Sequence, residues 1–129
     1  MGFWTGHQLL RRRVVFGDIQ LGRPVDVTVD VAGGRVLGFE VRCGDGSHRF
    51  LPLAVAQISD SAIELASPLL LLDLGQLAFY RERAATLASL RPNVDDVVFD
   101  ATGTITELVL RDGTRAPFDA AQLAAERAA

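Results

Sequence analysis

Val25-Asp26-Val27-Thr28-Val29-Asp30-Val31, a break at Gly33-Gly34, and then Arg35-Val36-Leu37-Gly38-Phe39-Glu40-Val41-Arg42-Cys43 decide the fold. In the first run valine recurs at every second position against Asp, Thr and Asp. That period of two describes a strand with one buried and one wetted face, whereas a helix would need apolar residues at three- and four-residue steps. The second run alternates too, with Leu37, Phe39, Val41 and Cys43 on one face and Gly38, Glu40 and Arg42 on the other. Two amphipathic strands joined across glycines imply a hairpin whose apolar sides look into a core.

Strand and turn signals continue on both sides. Residues 11–17 read as a short strand running into a Gly17-Asp18 turn, and Gly44-Asp45-Gly46-Ser47 is the next turn. Residues 49–53 form a strand whose Pro52 belongs at an edge or an end, because proline cannot donate to the ladder. Residues 62–66 alternate again and stop at Ser67-Pro68. From about residue 73 to 90 the spacing turns helical, with Asp73 as the expected N-cap and Arg91-Pro92-Asn93 as the stop. Strands return at 97–99 and 104–110, Asp112-Gly113 reads as a two-residue hairpin turn, and Asp119 is placed to cap a short C-terminal helix.

The two β regions can be laid over each other. Asp30 falls on Asp100, Val36 on Ile105, Phe39 on Leu108, Val41 on Leu110, Asp45-Gly46 on Asp112-Gly113, Arg49 on Arg115 and Pro52 on Pro117. Such a repeat points to a duplicated β unit that does not bury its apolar face alone.

The order Leu9-Leu10, Arg13-Val14-Val15-Phe16-Gly17, Gly22-Arg23-Pro24-Val25-Asp26-Val27-Thr28-Val29-Asp30, a glycine turn, Arg35-Val36-Leu37-Gly38-Phe39-Glu40-Val41, Arg49-Phe50-Leu51-Pro52 and Ala62-Ile63-Glu64-Leu65 resembles the PRC-barrel family. That family is named for the cytoplasmic part of the photosynthetic reaction-centre H subunit. It also supplies the C-terminal domain of the bacterial ribosome maturation factor RimM. Residues 5–67 carry the likeness, and 92–118 look like a truncated second copy. Leu21-Gly22 fits the family's pair before its second strand, while Arg23-Pro24 departs from it. The resemblance implies a small barrel that mediates assembly or regulation through protein contacts, with no catalytic residues to carry over. The expected fold is therefore mainly β with one or two helices. A PRC-type β-barrel spans residues 1–68, a connecting segment and helix span 69–91, and a second, truncated PRC-like β unit spans 92–129. A homodimer that completes the barrel by exchanging chain segments is an alternative.

Residues that carry chemistry are present but poorly arranged for it. Asp45, Ser47 and His48 are triad types crowded into one turn, where no scaffold holds a base between nucleophile and orienter. His7 and His48 lack ligand spacing, and Asp26, Asp30, Asp95, Asp96 and Asp100 read as the wet side of strands rather than a cation site. No glycine-rich phosphate loop occurs. No catalytic, cofactor or metal residues are expected. Arg11-Arg12-Arg13 is the one basic run and the candidate contact for RNA phosphates, although no aromatic stacking platform accompanies it. Phe3, Trp4, Leu69, Leu70, Leu71 and Leu72 lie outside the clear strands, so they either close the core or form an exposed interface.

The bulk numbers agree with a globular binder. Of 129 residues 49% are hydrophobic and 22% charged, an ordinary globular balance that makes disorder a poor reading, and a net charge of −3 gives no overall basic footprint. Every basic residue is arginine, a sign of coding bias in a G+C-rich bacterial genome. Cys43 is the lone cysteine, so no intrachain disulfide forms. The first residues lack a signal-peptide pattern, and the longest aliphatic run, Leu69-Leu70-Leu71-Leu72, is far short of the ~20 residues needed to span a bilayer. The expectation is a cytoplasmic, non-enzymatic bacterial module with a protein partner and no membrane insertion. A ribosome- or RNA-associated barrel is the alternative, and nucleic acid is the less favoured partner.

Overall fold

The structure, a computed structural model, describes residues 2–74, 84–90 and 94–118. In chain order the elements are β1 (Phe3–Thr5), α1 (Gly6–Leu10), β2 (Arg13–Phe16), β3 (Ile19–Asp30), β4 (Arg35–Cys43), β5 (His48–Pro52), β6 (Gln57–Ile58), β7 (Ala62–Glu64), β8 (Leu72–Asp73), β9 (Ala84–Thr86), α2 (Leu87–Leu90), β10 (Val94–Asp100), β11 (Ile105–Leu110) and β12 (Arg115–Pro117). Among the described residues the fold is mainly β with two short helices. A large sheet runs β6-β7-β2-β3-β4-β5-β8, with β9 joining β3, and curls into a half-barrel; a smaller one runs β1-β10-β11-β12.

The decisive hairpin forms as the alternation dictates, but two β-bulges re-aim it. β3 and β4 pair antiparallel with register shifts between Pro24 and Asp26 and between Thr28 and Val29. At the first shift Val25 is the extra residue, and the bulge turns it outward to 44% exposure while Val27 and Val29 stay buried. At the second, Val36 faces Val29 and takes the buried place expected of Leu37, whose face changes because one extra residue flips the phase.

The hairpin of β10 and β11 repeats this pattern. Its register shifts fall between Val94 and Asp96 and between Val98 and Phe99, seventy positions on from those in β3. Phe39 opposite Val27 corresponds to Leu108 opposite Val97, and Val36 opposite Val29 to Ile105 opposite Phe99. The turns that follow also match. Cys43 donates to the Ser47 carbonyl and Leu110 to the Thr114 carbonyl, so each loop has three residues, not the two expected of Asp112-Gly113. A left-handed glycine, Gly46 or Gly113, makes each turn possible.

A strand–helix arm precedes each hairpin and packs across to the other one. β1 pairs with β10, matching Phe3 to Asp100 and Thr5 to Val98. β9 pairs with β3, matching Ala84 to Asp30 and Thr86 to Thr28. Both arms turn into helices through reciprocal caps: Thr5 with Gln8 at α1, and Thr86 with Ser89 at α2. Leu9 and Leu90 end up fully buried in one shared core with Val27, Phe39, Val97 and Phe99. Where the hairpin turns meet, Val36 donates to the Gly103 carbonyl and Ile105 donates to the Gly34 carbonyl. Leu53 then sits over Gly103 and Phe118 over Gly34. Each of these contacts has its reciprocal, as across an isologous interface, here between two halves of one chain.

The expected helix over 73–90 is corrected on three counts. Asp73 lies in β8 opposite Arg49, residues 84–86 are strand, and the described helix is confined to Leu87–Leu90. Alanine's helix propensity at 84–85 yields to backbone pairing with β3. Residues 75–83 and the expected C-terminal helix from Asp119 lie outside the described residues. Neither β1 nor α1 was expected.

Candidate binding site

The side chains with catalytic potential are occupied by local structure. Asp45 Oδ1 accepts from the Ser47 hydroxyl at 2.6 Å and the Ser47 amide at 2.9 Å, and the Ser47 hydroxyl bond is the main cause of an Asp45 carboxyl below its ordinary value. His48 pairs elsewhere, with Nδ1 2.6 Å from Glu40 Oε2. No base therefore stands beside Ser47 in triad fashion. Asp100 and Asp112 repeat the device with Thr102 and Thr114, whose hydroxyls are the first cause of their lowered carboxyl values.

The strand aspartates are structural acceptors. Asp26 Oδ1 takes the amides of Val27 at 2.8 Å and of Ala88, in the first turn of α2, at 3.3 Å. Asp96, buried, does the same for Val97 at 2.8 Å and His7, in the first turn of α1, at 3.2 Å. Gly6 leaves room for that carboxylate, because a Cβ there would lie 2.8 Å from Asp96 Oδ1. Each carboxylate thus fastens the helix of the opposite arm. Among the described residues no three His, Cys, Asp or Glu side chains are placed to share a metal ion.

The residues singled out as a candidate interface separate. Phe3 is 64% exposed and lines a small cleft with the turn at Asp100 to Thr102. Trp4 packs on the core, its ring 6.4 Å from that of Phe99. Leu71 is buried, Leu70 and Leu72 are half-buried, and Leu69 stands 86% exposed. Phe3 and Leu69 adjoin opposite ends of β4, about 25 Å apart by strand rise, so they do not form one patch. In the basic run Arg11 and Arg13 are exposed and Arg12 is half-buried, with its Nη1 sealed from solvent and lacking a hydrogen-bond partner among the described residues.

Leu69 belongs instead to a surface the sequence reading missed. A groove of about 460 Å³ is lined by Leu10, Leu21, Arg23, Val25, Arg42 and Cys43, among others. It adjoins a second hollow of about 430 Å³ through Leu21, Cys43 and Gly44, and Leu69 and Leu71 line that one. Arg23 and Arg42 are exposed and stand opposite each other in the β3–β4 register, with His48 opposite Arg42 on β5. Like charges at facing positions repel. His48 has Glu40, but neither arginine has an ion pair among the described residues. A signal was present in the repeat: Val25 aligns with Asp95, so the bulge position does not demand an apolar residue.

Among the described residues no helix is long and apolar enough to cross a membrane. No protein-family model matches the chain, and no curated protein matches it.

Proposed function

We propose that the protein is a non-enzymatic, PRC-barrel-like module for assembly or regulation that acts by binding another protein. The observation that carries this reading is the joined groove. It presents Val25 at 44% exposure and Leu69 at 86%, while the other described large apolar side chains are mostly packed inside. Apolar surface held open in a shaped depression marks a contact site more often than a scattered exposed leucine does.

A duplicated unit supports the same reading. The matched bulges, caps and arm contacts are those of a fused pair of one β–α–β–β–β unit, as the resemblance to PRC-type barrels implies for the first copy and a truncated second. Part of the groove's lining has no counterpart among the described residues of the second half: the start of β3 from Gln20, and Pro68, Leu69 and Leu71 before β8. The scaffold is shared between the halves and the contact surface is particular to one.

The test is purification of the tagged full-length protein at endogenous level, read by mass spectrometry, beside a Val25→Glu, Leu69→Glu variant whose folding is checked by circular dichroism. A co-purifying protein in fixed ratio, lost in the variant, is expected. Recovery of RNA instead, or a partner unaffected by both substitutions, overturns the reading.

A further inference from the structure

The groove's chemistry narrows the class of partner. Leu10, Leu21 and Val25 line it together with Arg23 and Arg42, which are partners on adjacent strands. The two arginines are cross-strand partners on one β-ladder rung, where like charges add nothing to the fold. Among the described residues no carboxylate pairs with either; Glu40 is taken by His48, and Asp45 accepts from Ser47. The second half acts as an internal control. It repeats the bulges and the turn and has Arg111 where the first half has Arg42, yet it places Asp95 where the first half has the exposed Val25. The exposed aliphatic side chain beside the arginines, where the second half has a carboxylate, is thus a property of the groove and not of the strand pattern.

We infer that this groove docks an acidic polypeptide segment of a partner protein, one in which aspartate or glutamate alternates with aliphatic residues. The inference rests on the protein-binding reading and adds the partner's chemistry. Carboxylates of the segment meet Arg23 and Arg42, which can each hold one in two-pronged fashion. Its apolar side chains replace water over Leu10, Leu21, Val25 and Leu69. Charge complementarity favours this occupant over another cationic surface. Nucleic acid is disfavoured because none of the groove's described lining residues is aromatic, so among them bases have nothing to stack on.

The experiment selects random dodecapeptides displayed on phage against the full-length protein, then measures binding of the recovered peptides by fluorescence anisotropy. Enriched peptides are expected to be net negative and to contain aliphatic residues. An Arg23→Glu, Arg42→Glu variant should weaken them at least about tenfold, with Trp4 fluorescence and circular dichroism unchanged. Affinity should fall as salt rises. Peptides that are neutral or basic, or that bind the variant equally well, overturn the inference while leaving a protein partner in place. Failure to enrich any peptide, together with tight binding of single-stranded RNA or of phosphatidylserine vesicles, overturns both readings.

Discussion

Asp96 is the residue on which the crossing of the arms depends most directly. Its buried carboxylate accepts backbone amides from its own strand and from α1, so Asp96→Ala strands donors in the interior. The expected loss is about 2–3 kcal/mol in urea unfolding. Asp26 makes the equivalent bonds but is only half-buried, and Asp26→Ala should cost about 1 kcal/mol. Arg12 predicts the opposite sign. Its Nη1 is buried without a partner among the described residues, so Arg12→Met should stabilise by roughly 1 kcal/mol in the same measurement. The turn aspartates set the acid behaviour. Asp45, Asp100 and Asp112 all titrate below their ordinary value of 3.8. Lowered folded values mean their stabilisation is complete above the unfolded value and is lost as pH falls through the folded ones. Unfolding midpoints should be flat above about pH 5 and drop below pH 4, and a triple Asp→Asn variant should flatten that drop.

At the scale of elements, the β3–β4–β5 ladder is held close by glycine. A Cβ on Gly38 would run into the Leu51 carbonyl oxygen and come within 2.8 Å of the Phe50 ring, whereas one on Gly44 meets nothing within 4 Å. Gly38→Ala is therefore expected to cost about 2–3 kcal/mol, and Gly44→Ala less than about 0.5 kcal/mol, by thermal or urea denaturation. The period-two runs of β3 and β4 were legible because each valine reports a local preference for one side of a sheet. The bulges were not, since an extra residue leaves the composition of a strand untouched and changes only its phase after Val25 and after Val36. β9 was misread for a related reason: Ala84 and Ala85 suit a helix in isolation, and only a partner more than fifty residues away makes them strand. The groove fell between these two cases. Val25 was assigned inward by its alternation, and the turn at the bulge that exposes it has no mark in the sequence except the aspartate at the matching place.

For the whole molecule, the crossed arms make one cooperative unit of two halves. The single tryptophan, Trp4, sits in β1 against Phe99 of the second half, so its fluorescence reports docking of the arm while far-ultraviolet circular dichroism reports all strands. The two signals should give the same midpoint and slope in urea. A tryptophan transition at clearly lower urea would show the arm detaching by itself. Removal of residues 2–10 should abolish cooperative unfolding, because it strips β10 of its edge partner and the core of Leu9.

The pairing of Phe3 with Asp100 also has a consequence during synthesis. While the ribosome is still making the second half, β1 has nothing to join, and the edge of β3 that β9 later covers is open. The nascent chain must hold its first hairpin unfinished until the strand carrying Asp100 emerges, and closure over so long a stretch is slow. Translation speed through that interval, and any chaperone able to shield an open strand edge, should govern the yield of folded protein more than the strength of the finished contacts does.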